Sequence, residues 1–156
     1  MVFKKSKEIP LEIQKISLYN SPLAHTIKSK IETHFDPFRH RLLVWEGLVR
    51  TPFNNVRVSI RYSSKFVKKY KRTLRVYLKI SDLGYVLKDG MTSSLPHVYE
   101  IDRKNGYVEL CLFQHNYEFN NRFKIGEFVV PWIVEWCHYF LVWEATGEWL
   151  GGGHSA

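Results

Sequence analysis

Residues 56–61 (VRVSIR) and 74–80 (LRVYLKI) decide the fold of this 156-residue chain. In both stretches every second residue is apolar, which is typical of a strand with one buried face. The apolar residues 42–49 come before them, and the turn-forming residues 51–55 (TPFNN) lie in between. This order predicts three antiparallel strands in a meander.

The chain before the meander has a different pattern. Ser21 and Pro22 resemble a helix N-cap followed by proline at the first helical position. Apolar residues then recur four apart, which predicts a first helix over residues 22–34; they are Leu23, Ile27, Ile31 and Phe35. Residues 1–20 are basic and weakly patterned, so we expect an N-terminal arm or a loosely docked segment there.

A hairpin and a second helix are predicted after the meander. Asn105-Gly106 is a strong tight-turn signal between the extended residues 97–101 and their partner strand, residues 107–113. Residues 128–150 then carry a wide aromatic face at helical spacing, with Pro131 expected in the first turn. Gly147 interrupts this pattern, so the helix ends or kinks there.

Together these elements predict an α+β fold in which helices pack on one face of an antiparallel sheet. We expect a single domain over residues 21–156, preceded by the arm over residues 1–20. Hydrophobic residues make up 45% and charged residues 24% of the chain, which are ordinary values for a globular domain. The chain contains no run of eighteen apolar residues, so no membrane span is predicted. No apolar segment follows the first lysines, so no secretory signal is predicted either.

The charge and the cysteine count limit the function further. A net charge of +8 suggests an acidic partner or surface. The basic residues cluster in residues 57–75, where Tyr62, Phe66 and Tyr70 lie between the cations. This stretch is either a solvated loop face or a nucleic-acid surface with stacking platforms. Two cysteines cannot build a disulfide scaffold, so we expect the protein in the cytoplasm.

Cys111 is the main candidate for chemistry. The chain has no P-loop, dinucleotide-binding glycine motif, zinc-type cluster or Gly-x-Ser-x-Gly elbow, so we predict neither a cofactor nor a bound metal. Cys111 ends the predicted strand and precedes a polar loop, where it is either a nucleophile or a small buried hydrophobe. The hairpin could bring His97 near this thiol, as a catalytic or as a structural histidine. Cys137, on the second helix, is interpreted as packing.

The order of these pieces resembles the ubiquitin-conjugating enzyme fold. Residues 45–47 (WEG) and 51–53 (TPF) look like the first strand and turn of that family's meander. Residues 96–99 (PHVY) stand where its His-Pro-Asn motif would, and Cys111-Leu112 resembles its catalytic Cys-Leu. The Trp-rich C-terminal stretch, residues 130–154, is similar to the bacterial branch found in antiphage nucleotide-signalling (CBASS) operons.

The resemblance implies a thioester between Cys111 and the C-terminal carboxylate of a cGAS-like nucleotidyltransferase, whose tail passes to an amine. It points to His97, His115 and Glu118 as groups that help the amine lose a proton. The motif here is Pro-His instead of His-Pro, and the family's Asn is missing from it. Asn116 or backbone N–H groups would then stabilise the oxyanion.

Two other hypotheses stay open. A relative without catalytic activity would bind and scaffold the nucleotidyltransferase, and the missing His-Pro-Asn motif supports this alternative. A small basic nucleic-acid-binding module is supported by the basic loop alone. Some relatives are fused to an activating domain, so the need for a separate activating enzyme also stays open. No membrane partner is predicted.

Overall fold

The sheet has six antiparallel strands in the order β1-β2-β3-β4-β6-β5. The computed structural model describes residues 8–35, 39–63, 72–87, 95–112 and 122–151. The elements are α1 (Leu11–Asn20), β1 (Ala24–His34), β2 (His40–Arg50), β3 (Asn55–Ser63), β4 (Leu74–Lys79), a 3-10 turn (Ile80–Leu83), β5 (Val98–Asp102), β6 (Tyr107–Leu110) and α2 (Ile125–Thr146).

The predicted meander is confirmed as strands β2, β3 and β4. The predicted hairpin is confirmed as β5 and β6. Gly106 adopts φ +75° in its turn, a left-handed conformation that glycine reaches at little cost. Strand β6 pairs with β4 on its other side, so the hairpin extends the meander into a larger sheet.

The helices cover one face of the sheet, as predicted. Trp45, Ile60 and Val76 are cross-strand neighbours and therefore share a face. All three are buried in one core together with Leu18 of α1 and Ile133 of α2. Residues on the opposite face line an open groove; among them are Arg61, Arg75 and Tyr77. The α+β fold class is confirmed.

The helix predicted over residues 22–34 is wrong, because this segment forms the edge strand β1. A spacing of four residues is also a multiple of two, so it marks one face of a strand as well as one face of a helix. The solvent-facing edge further weakens the pattern, since Ile27 is 65% exposed at the β-bulge between Thr26 and Lys28.

The segment expected to be an arm or loosely docked instead contains the packed helix α1. Its Gln14 is fully buried: Nε2 donates to the carbonyl of Phe123, and Oε1 accepts from the N–H of Ile125, both at 2.7 Å. The Ser17 hydroxyl accepts from the N–H of Gly126 at 3.1 Å. These bonds satisfy N–H groups that the first turn of α2 leaves without helical partners. A polar residue therefore fixes α1 in place, which an apolar pattern does not reveal.

The second predicted helix is confirmed as α2, which begins and ends a few residues before the predicted bounds of 128 and 150. It begins at Ile125, so Pro131 is the seventh helical residue and lies beyond the first turn. Gly147 ends the helix at φ +82° and donates its N–H to the carbonyl of Trp143 at 2.7 Å. By length and composition α2 is long and apolar enough to cross a membrane, and 44% of its apolar 18-residue window is buried in the protein.

Candidate active site

Cys111 directly follows β6, which lies next to the edge strand β5 of the sheet. Its N–H donates to the carbonyl of His97 at 2.9 Å, which closes the open end of the hairpin. Its thiol donates to the hydroxyl of Tyr99 at 3.3 Å. The residue is only 4% exposed. Two separate bonds, one to the backbone and one to the sulfur, thus fix Cys111 against the segment that begins β5.

Tyr99 is held as a neutral hydroxyl next to the sulfur. Burial, followed by the contact with the Cys111 thiol, raises the pKa of Tyr99 well above its usual value. The tyrosine therefore stays protonated at neutral pH. When Cys111 loses its proton, the hydrogen bond can reverse so that Tyr99 donates to the thiolate. Charge-assisted bonds of this kind are roughly twice as strong as neutral ones.

Arg72 and Glu109 support Tyr99 from the sheet. The guanidinium of Arg72 lies 3.8 Å from the centre of the Tyr99 ring. Its Nε and terminal nitrogen donate to the two carboxylate oxygens of Glu109 at 2.8 and 2.9 Å. Glu109 is 1% exposed and lies two residues before Cys111 on the chain. This bidentate pair fixes the plane of the guanidinium, and with it the ring that carries the hydroxyl.

His97 links Cys111 to the C-terminal helix. It is the one non-glycine residue at positive φ (+52°) among the described residues. This conformation costs about 1–3 kcal/mol and persists only where the surrounding structure imposes it. Its carbonyl accepts from the Cys111 N–H at 2.9 Å and from the indole Nε1 of Trp136 at 3.1 Å. Its imidazole stacks on the ring of Trp149, with 4.4 Å between the centroids. His97 therefore meets Cys111 through the backbone.

The second cysteine has a different environment. Cys137 is fully buried in α2. Burial raises the pKa of its thiol to about 12. It is therefore a neutral, packed side chain at physiological pH, and the prediction that Cys137 is a packing residue is confirmed. Cys111 remains the one candidate nucleophile of the two.

The structure brings together two of the five predicted site residues, Cys111 and His97. The other three, His115, Asn116 and Glu118, lie outside the described residues, so their roles stay predictions. In the basic stretch, Tyr62 is 1% exposed and belongs to the core, so it is not a stacking platform. Phe66 and Tyr70 lie outside the described residues.

Sequence reasoning missed Tyr99, Arg72, Glu109 and Trp149. One of them left a signal: Glu109 is a lone acid in the apolar strand 108–112, and a buried carboxylate requires a partner. The identity of that partner was not visible, because Arg72 lies 37 residues away in the sequence. Among the described residues, no group of three or more His, Cys, Asp or Glu could hold a metal ion.

An antiparallel sheet with helices on one face and a cysteine at the end of a late strand is compatible with an E2-like, or ubiquitin-conjugating-enzyme-like, fold. The model of the family described as Type II CBASS E2 protein matches residues 24–156, and the chain belongs to this family. The predicted resemblance to the CBASS branch is thereby confirmed. A comparison with curated proteins gives no match.

Proposed function

We propose that this CBASS E2 protein is a cysteine transferase, in which Cys111 forms a thioester with the C-terminus of a partner protein and passes it to an amine. The observation that carries the proposal is the hydrogen bond of 3.3 Å between the Cys111 sulfur and the hydroxyl of Tyr99. A hydroxyl in this position can donate a hydrogen bond to a thiolate, which is the nucleophilic form of cysteine. The family's E2 name indicates the same class of enzyme.

The chemistry needs an activated acyl group. The Cys111 thiolate attacks the carbonyl carbon of an acyl-adenylate or of a thioester on a separate activating protein, and AMP or the donor thiol leaves. The new C–S bond is a thioester on Cys111. An amine then attacks the same carbonyl, an amide forms, and the proton lost from the amine returns the sulfur to a thiol. Because the thioester is already activated, the protein mainly has to position the reactants.

Different residues around Cys111 stabilise the thiolate, stabilise the oxyanion and remove the amine proton in this proposal. Tyr99 donates to the thiolate, and Arg72 and Glu109 hold Tyr99 in place. The Cys111 N–H already donates to His97, so the developing oxyanion needs other donors. We assign that role to Asn116 or to backbone N–H groups of the loop after Cys111. We assign removal of the amine proton to His115 or Glu118, with His97 as a further candidate.

The partner in this proposal is the cGAS-like nucleotidyltransferase of the CBASS operon, joined through its C-terminal tail. We place the reaction in the cytoplasm, because both cysteines are free thiols and one of them must stay reduced to react. The acceptor is an amine on a protein or small molecule.

The low exposure of Cys111, 4%, favours a second candidate function. A cysteine this buried is commonly a small core hydrophobe, as it would be in a scaffold that binds the nucleotidyltransferase without reacting. In the transferase, the groups that cover the sulfur, Tyr99 among them, must move when the acyl donor arrives. The two functions therefore differ in whether a covalent adduct forms.

Co-expression with the nucleotidyltransferase and the operon's activating activity distinguishes the transferase from the scaffold. The transferase predicts an adduct on non-reducing gels that disappears with thiol reductant and in Cys111→Ala. The matched control is Cys137→Ala, which removes the other thiol and should keep the adduct. A stable complex of the two proteins without an adduct in the wild type would support the scaffold and refute the transferase.

A further inference from the structure

The chain after α2 turns back onto the active site. Gly147 reverses its direction at φ +82°. Two residues later, the indole of Trp149 lies against three rings: its centroid is 4.4 Å from that of His97, 5.8 Å from that of Trp136 and 5.9 Å from that of Tyr139. Trp149 thus joins the C-terminal segment to the residue whose carbonyl holds Cys111.

The residues around Trp149 are closely packed. A Cβ atom on Gly151 would lie 2.5 Å from Cδ2 of Tyr139 and 2.9 Å from Nε1 of Trp149, closer than side-chain atoms approach. Leu150, between them, is 66% exposed. Two features therefore fix the segment after α2 in place: the ring contacts of Trp149 and the absence of a side chain at Gly151.

The ring of Trp149, and not its N–H group, makes the contact. The indole Nε1 is buried and has no hydrogen-bond partner in the described part of the chain. Aromatic stacking supplies the interaction with the His97 imidazole instead. A phenylalanine at this position would keep a stacking ring without leaving a further polar atom unsatisfied.

His97 connects Trp149 to Cys111, because its imidazole stacks on Trp149 and its carbonyl accepts from the Cys111 N–H. Its positive φ is an unfavourable conformation that the surroundings must impose. Its carbonyl then points at two donors, the Cys111 N–H and the Trp136 indole. Trp136 and Trp149 pack on one another as well, so the ring and the carbonyl of His97 are held by the same aromatic cluster.

We propose that Trp149 is a positioning residue for Cys111 and acts through His97. The stacked indole holds the imidazole, which keeps His97 in its left-handed conformation and keeps the bond from its carbonyl to the Cys111 N–H. The proposal rests on the transferase function for its effect on rate. Its effect on the Cys111–His97 bond is independent of that function.

The test compares Trp149→Ala and Trp149→Phe with Trp143→Ala. Trp143 lies on α2 and packs on Phe140, with 5.6 Å between the ring centroids, so its removal takes away an equal side chain from the helix that precedes the Trp149 segment. The first measurement is hydrogen exchange of the Cys111 amide and the Trp136 indole by NMR. Exchange of both should rise in Trp149→Ala, and should stay near wild type in Trp149→Phe and in Trp143→Ala.

The second measurement is thioester formation from a nucleotidyltransferase with a preformed C-terminal thioester. Trp149→Ala should lower the maximal rate about ten- to a hundredfold, as misplaced reacting groups do. The donor concentration for half-maximal rate should stay unchanged, and Trp149→Phe should recover most of the rate.

Unchanged exchange at Cys111 in Trp149→Ala would overturn the proposal, and so would an equal rise in Trp143→Ala. A wild type that forms no adduct would instead refute the transferase function. In that case the exchange data still decide whether Trp149 sets the Cys111–His97 bond.

Discussion

The thiol of Cys111 donates a hydrogen bond to the hydroxyl of Tyr99 at 3.3 Å, across the two strands of the last hairpin. The hydroxyl belongs to a half-buried tyrosine whose pKa is raised by burial and by this contact. It is therefore available as a donor whenever the sulfur is a thiolate. This pair is the structural basis for the proposed reactivity of Cys111.

Tyr99→Phe removes the donor and keeps the ring that packs on Arg72. Hydrogen bonds to charged groups contribute about 1.5–3 kcal/mol, and about 1.4 kcal/mol corresponds to a tenfold change in rate. Because stabilising a thiolate also lowers its intrinsic nucleophilicity, we expect alkylation of Cys111 by iodoacetamide to slow about three- to tenfold, as measured by peptide mass spectrometry. Tyr107→Phe makes the same change on β6 and should leave the rate unaltered. Equal rates in Tyr99→Phe and wild type would contradict the role assigned to the hydroxyl.

Arg72→Met leaves the carboxylate of Glu109 buried without its partner. Loss of one member of a buried pair costs about 3–5 kcal/mol, and partial exposure of Arg72 places the expected loss near the lower end, about 3 kcal/mol. Urea unfolding measures this change. The double variant Arg72→Met/Glu109→Leu should regain most of the stability, because no charge is then left buried.

The control for this pair is Arg57→Met. Arg57 makes a similar bidentate bond to Asp82, but its side chain is 53% exposed, so its removal should cost much less. An equal loss of stability in Arg57→Met and Arg72→Met would show that burial of Glu109 does not set the energy of the pair.

Asp82→Asn should destabilise the protein in a pH-dependent manner. Partial burial raises the pKa of Asp82, but hydrogen bonds and charge from Arg57 outweigh it and hold the pKa below 3.8. A carboxyl with a lowered folded-state pKa adds stability above its unfolded pKa, and this stability is lost as the pH falls through the folded value. The wild type should therefore be more stable than the variant in urea unfolding at pH 7, and this difference should shrink progressively as the pH falls below about 4 and through the lowered folded-state pKa. A gap of the same size at pH 3 would show that ionisation of Asp82 is not its source.

Cys137 should resist alkylation in the folded protein. With a thiol pKa of about 12, only about one molecule in ten thousand carries the thiolate at pH 8. Peptide mass spectrometry after iodoacetamide treatment should find Cys137 unmodified in native protein and modified in urea. Rapid native modification of Cys137 would contradict its assignment as a packed core residue.

The sequence predicted the parts of the fold in which a local signal and the tertiary environment agree. Strands β3 and β4 alternate because one face is buried, and Asn105-Gly106 supplies the turn that joins β5 and β6. Strand β1 was missed because it is a solvated edge, where burial imposes little pattern. Helix α1 was missed because its central buried contact is Gln14, a polar residue that caps α2.

The same contrast between local signals and long-range contacts applies to the candidate site. Cys111 and His97 were found because the hairpin between them is a local element. The network around them joins residues that are distant in the sequence: Arg72 reaches Glu109 across 37 positions, and Trp136 reaches His97 across 39. Such contacts depend on how strands and helix assemble, and no spacing in a single sequence encodes them.

The most direct test of the central claim is the intact mass of the protein after mixing with a nucleotidyltransferase that carries a C-terminal thioester to a small thiol. This donor needs no activating enzyme, so failure to react reports on Cys111 itself. We predict a one-to-one adduct that reductant removes, that is absent in Cys111→Ala, and that Cys111→Ser converts into a reductant-stable ester. An adduct that persists in Cys111→Ala, that still breaks with reductant in Cys111→Ser, or that never forms in the wild type would contradict the thioester mechanism.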